Sequence, residues 1–160
     1  MKQLALLLAV GIAPHMSFAQ EGPLHPQERV ETCLAAQAEK GQPSIACINE
    51  AQGTCIQYIA DAPQAALHCF LESQKAWSDY IGARMEWVAK EGGDDIAAVA
   101  GIEVKFDLLQ NKLQCQRMSE LAMLRTAVTE QTQIQAARCD ATANGLVFAK
   151  LFIQSQSLNK

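Results

Sequence analysis

Apolar residues recur along this chain at intervals of three and four, and the strict alternation of a half-buried strand is nearly absent. Alanine, glutamine, leucine and glutamate, all good helix formers, fill the positions between them. The pattern therefore predicts an all-α protein. A first helix is expected from about Gln27 to Lys40, with Val30, Cys33, Leu34 and Ala38 on one face, interrupted by Gln37 and stopped by Gly41 and Pro43. A second carries Ile45, Ile48, Cys55, Ile56 and Ile59 to about Asp61, with Ser44 as its expected cap. Gly53 inside that helix marks either a close approach or a break.

A third helix starts after Pro63, and its residues Leu67, Phe70, Gln74, Trp77, Ile81, Arg84 and Val88 make one continuous stripe. Glu91-Gly92-Gly93 ends it, and Asp94 or Asp95 is expected to cap a fourth helix bearing Ile102, Phe106, Leu109, Leu113, Met118, Leu121 and Leu124. Thr126, Val128 and Thr129 mark a bend. A fifth helix runs from about Thr132 to Gln154 with Ile134, Ala141, Leu146, Phe148 and Phe152, and a polar tail from Ser155 to Lys160 closes the chain. No linker divides this series, so a single compact bundle of about five helices is expected.

The N-terminus changes the picture of where this bundle resides. Lys2 is followed by an apolar run from Leu4 to Ala13 and then by Ser17-Phe18-Ala19, the layout of a secretory signal peptide over residues 1–19. The run is too short to span a bilayer, and no later stretch is long enough. The expected mature domain, residues 20–160, then begins with a short polar arm, Glu21 to Pro26, and is periplasmic or secreted with no membrane anchor. Its balance of 12 Lys and Arg against 17 Asp and Glu, net −5 once Lys2 is gone, argues against nucleic-acid binding.

The mature region also holds six cysteines, Cys33, Cys47, Cys55, Cys69, Cys115 and Cys139. An even count in an exported chain points to disulfides. Joined in order, the pairs centre on Lys40, Ala62 and Ala127. The first two centres lie beside turn residues and the third in the β-branched bend, which is what bridges across antiparallel helix hairpins require. A continuous second helix would put Cys47 and Cys55 about 12 Å apart, beyond the roughly 7 Å a disulfide spans. The expected connectivity is Cys33–Cys47, Cys55–Cys69 and Cys115–Cys139.

Candidate chemistry is sparse. No Cys-x-x-Cys redox motif, closely spaced zinc ligands, phosphate loop or nucleophile elbow is present. His25 lies in the arm and His68 on the third helix, and the acidic stretch from Glu91 to Asp95 lacks the alternating ligands of a calcium loop. Met85, Met118 and Met123 occupy core-like positions and read as packing residues rather than a copper site. No cofactor and no catalytic residue is expected. Trp77, Tyr80 and Trp87 are the largest aromatic concentration and span a wide arc, so Trp87 is the candidate binding anchor.

On the third helix, Gln74-Lys75-Ala76-Trp77-Ser78-Asp79-Tyr80 resembles the Q-R/K-A-W-x-x-Y signature of the LprI-type lysozyme-inhibitor N-terminal domain family. The order Cys47, Cys55, Cys69, Trp77 is similar to a Cys-rich branch of it, while Ile81 and Met85 stand where the family carries Arg and Cys. The resemblance implies a small exported all-α bacterial domain and a protein partner, a lysozyme, inhibited by steric occlusion. The leading expectation is thus a disulfide-stabilised binding module of the bacterial envelope that is not an enzyme. The alternatives are a structural or assembly factor of the envelope, or an envelope redox enzyme.

Overall fold

A computed structural model of the chain describes residues 27–124 and 127–159. The described residues fold into six α-helices and one short 3-10 turn, with no strand. The signal-peptide and arm readings, His25 among them, lie outside the described residues, as does Thr126 in the expected bend.

The helices are α1 (Gln27–Glu39), α2 (Ile45–Ala51), α3 (Gly53–Asp61), α4 (Pro63–Gly92), α5 (Asp94–Met123) and α6 (Glu130–Ser155). Their ends follow from local chemistry. Gly41 and Gly93 take positive φ, at 63° and 80°, a conformation in which a side chain would be strained. Pro63 opens α4, where its missing N–H costs nothing. Thr129 caps α6: its hydroxyl accepts from the Thr132 N–H, and the Thr132 hydroxyl accepts from the Thr129 N–H.

Three local expectations are corrected. The expected second helix is two helices, because the chain breaks at Gln52. Gly53 faces open space there, so it accompanies the break and serves no close approach. Ser44 occupies the cap position of α2 without making a side-chain cap bond. Asp94 and Asp95 sit in the first turn of α5, whose cap position is Gly93; there they complement the helix dipole. The expected tail also differs: residues 156–159 continue as a 3-10 turn, and Leu158 packs back on the core and reaches Gly92.

The three sequential disulfides are formed, with Cα–Cα separations of 5.8 Å for Cys33–Cys47, 5.4 Å for Cys55–Cys69 and 5.8 Å for Cys115–Cys139. Each joins neighbours in the chain: α1 to α2, α3 to α4, and α5 to α6. The molecule is therefore three stapled hairpins, with the long helices α4 and α6 packed along each other at the centre.

The core has two apolar compartments. In the larger, Val30 and Leu34 of α1 and Ile48 of α2 meet Trp77, Ile81 and Val88 of α4 and Phe148, Leu151 and Phe152 of α6. In the smaller, Cys55 of α3 meets Ala66, Cys69 and Phe70 of α4 and Ile134, Ala137 and Ala141 of α6. A polar layer lies between them. Gln52, fully buried at the α2–α3 break, donates through Nε2 to Ser73 Oγ of α4 at 3.5 Å and accepts from Thr142 Oγ1 of α6 at 3.0 Å. The break thus places one side chain where it satisfies both central helices.

Candidate functional site

Helix α5 departs from the rest of the bundle. It is 30 residues long, yet Cys115 is its one buried residue. Ala97, Ala100, Val104 and Leu108 pack it partly against the larger compartment, and the smaller compartment has no α5 member. The C-terminal half of α5 is held to α6 by the Cys115–Cys139 disulfide. Ala97, Ala100, Val104 and Leu108 hold the N-terminal half of α5 against the body, and beyond Leu108 Cys115 is the one residue of the helix that is buried.

An open groove of about 840 Å³ results, walled by α5 and α6 and closed at one edge by α2. Met118, Met123, Val128, Leu146 and Ile45 supply its apolar walls, and the Cys115–Cys139 bridge lies among them. Its polar groups are amides and hydroxyls, with Arg138 the only charged residue among the described lining residues. The volume falls in the range of ligand pockets, and apolar walls with few polar groups are typical of such sites. Methionine adds flexible, polarisable surface that adapts to what it meets. Beside the groove, burial raises the Asp140 carboxyl above its ordinary range, and Lys112 pulls it partly back.

Met118 and Met123 were expected as packing residues, but both are exposed, at 57% and 46%, and line the groove; Met85 does pack against the core. Sequence periodicity missed the groove because its walls come from two helices whose separation only the tertiary arrangement sets. The one available signal was that α5 carries apolar residues around its whole C-terminal half, more than one buried stripe can use.

The residues singled out on α4 lie elsewhere. Trp77 is buried, edge-on to Tyr80 at 5.6 Å between ring centroids and stacked with Phe148 at 5.9 Å. Burial chiefly, with the neighbouring Asp79 charge, raises the Tyr80 phenol above its ordinary range. Ala76 is half-buried; the Gln74 carbonyl accepts from Asn144 Nδ2 at 3.4 Å, and Lys75 pairs with Asp79 at 2.7 Å on the surface. The signature's aromatic pair therefore packs α4 against α6.

Trp87 is half-buried and outside the groove. The Arg84 guanidinium lies 3.8 Å over its ring and 4.9 Å from the Phe152 ring, while Arg84 Nε donates to Ser155 Oγ at 2.8 Å. This stack ties the C-terminal part of α4 to the end of α6. His68 is exposed and faces Glu72 one turn on, at 3.5 Å. All six cysteines are disulfide-bonded. Among the described residues no group of three or more His, Cys, Asp or Glu is placed to hold a metal, and no helix is long and apolar enough to cross a membrane.

Among the described residues, fold and groove together define a disulfide-stapled all-α bundle that carries an open apolar cleft. Comparison with family models, with curated proteins and with solved structures gives no match.

Proposed function

We propose that this protein is an exported binding module of the bacterial envelope that receives an apolar segment of a protein partner in the α5–α6 groove. The observation that carries this reading is the groove itself, about 840 Å³ with methionine and leucine walls standing open on an otherwise stapled scaffold. Three disulfides support residence in an oxidising compartment, where such bridges form and persist. An apolar helix or loop entering the groove would bury Met118, Met123 and Leu146, a recurrent mode of peptide recognition. The rigid body behind the groove limits the ordering entropy that association costs.

The signature on α4 makes a lysozyme the first partner to test. Inhibition would act by steric occlusion, and the acidic balance of the chain would speed encounter with a cationic enzyme. The test measures binding and inhibition of lysozymes of several types by the oxidised protein at low salt. It is repeated with Met118→Glu and Leu146→Glu. Inhibition weakened about tenfold or more by either variant is the expected result. If no lysozyme binds, the lysozyme partner falls. Binding that ignores both substitutions removes the groove from the account.

A further inference from the structure

A second apolar surface lies on the side of α5 turned away from the body. Val99, Ile102, Phe106, Leu109 and Leu113 are exposed at 62%, 70%, 63%, 54% and 53%. Their spacing is three, four, three, four. That is the a/d rhythm of a coiled coil, which keeps its seam on one side of a helix for as long as the pattern lasts. The residues that pack α5 onto its own body, Ala97, Ala100, Val104 and Leu108, lie on the opposite side, and the groove walls of α5 begin only at Asn111. The helix thus has one face occupied by its own fold and a seam that nothing in the described chain covers.

We propose that this seam pairs with the same seam of a second copy, the two α5 helices running antiparallel about a two-fold axis. Two observations favour that arrangement: the repeat of the seam and the placement of charge along α5. A heptad seam is complemented by another heptad seam, and this chain carries one, so a single symmetric contact covers both.

Charge selects the direction. Helix α5 opens with Asp94 and Asp95 and carries Lys112 and Arg117 toward its other end, all exposed. Parallel helices would set like charges side by side at both ends. Antiparallel helices layer Val99 against Leu109 and Ile102 against Phe106 of the second copy, and bring Asp95 to Lys112 of the second copy at each end. Near the two-fold axis Glu103 and Lys105 each meet their own counterpart. Glu103 feels the opposite charge of Lys150 on its own α6. Lys105 is left as the like-charge meeting, with a long stem that can splay outward.

Sedimentation equilibrium of the oxidised mature chain over the micromolar range reads this directly. A mass of two chains is expected. Ile102→Glu and Phe106→Glu should each raise the dimer dissociation constant at least ~100-fold while circular dichroism and the disulfide count stay unchanged. Lys105→Glu supplies a test independent of either core-seam variant. Mixed with wild type it should form heterodimers in preference to either homodimer, because opposite charges then meet at the axis. A wild-type monomer throughout, or a dimer insensitive to both seam variants, overturns the proposal. A dimer with no heterodimer preference overturns the antiparallel arrangement. Met118→Glu in the groove should leave the mass unchanged, which keeps this result separate from the partner-binding reading.

Discussion

Gly145 and Gln52 show how much of the bundle rests on single positions. A Cβ at Gly145 would lie 2.8 Å from Ile48 Cγ2 and 3.0 Å from Trp77 Cε2, distances that force the core apart. Gly145→Ala should therefore destabilise by about 1–3 kcal/mol, the range for overpacking, although alanine is the better helix former by about 1 kcal/mol. Urea denaturation of both proteins checks the sign. Gln52→Ala removes the bridge between Ser73 and Thr142 and should lower stability by about 1–3 kcal/mol; an unchanged midpoint would mean that the polar layer contributes nothing.

Asp140 gives the residue scale a pH dependence. Its folded carboxyl holds a proton more tightly than the unfolded chain does, mainly through burial. Folded protein therefore binds more protons just above the ordinary aspartate range, and this group's contribution to stability falls as pH rises through that window. Asp140→Asn should flatten that part of the stability profile, measured as urea midpoints at a series of pH values. A profile identical to wild type would count against the burial account.

At the scale of elements, the C-terminal half of α5 depends on a single covalent tie. Replacing Cys115 and Cys139 by serine opens a loop with a sequence separation of 24 and should cost on the order of 3 kcal/mol. The first cleavage under limited proteolysis should move into the C-terminal half of α5, with α4 and most of α6 still protected. If α4 is cut first, the hairpin is not an independent element.

The same helix shows where sequence reasoning worked and where it stopped. Gly41, Pro43, Pro63 and Gly93 carry local backbone constraints, so the ends of α1 and α4 were legible within a residue or two. The α4 stripe was legible because Phe70, Trp77, Ile81 and Val88 all enter the core. For α5, identical apolar residues point outward, since periodicity reports that a face is apolar and not which body covers it. The α2–α3 break was legible only as an alternative, because it serves a buried glutamine whose partners lie on α4 and α6.

Across the whole molecule, two compartments and a polar layer between them imply an arrangement fixed in register as well as in composition. Sliding α4 against α6 by one turn would bring Ser73 or Thr142 against apolar neighbours and leave Gln52 without both partners. Surface ion pairs add little to this. Lys150 does join Asp107 across α5 and α6 at 2.7 Å, but an exposed pair of this kind is worth about 0–1 kcal/mol. Moderate salt should accordingly leave the monomer's melting temperature nearly unchanged, whereas reduction of the disulfides should lower it sharply.

The sequential order of the three bridges has a consequence for how the chain is made. Each pair consists of two cysteines consecutive in the chain, so a chain emerging N-terminus first into an oxidising space would present each complete native pair before the next pair arrives. At no stage does correct bonding require one cysteine to wait while another passes. An oxidant alone should then produce the native connectivity during vectorial emergence, without the reshuffling that crossed bridges demand. The order of the cysteines works as an assembly schedule, written in the same direction as synthesis.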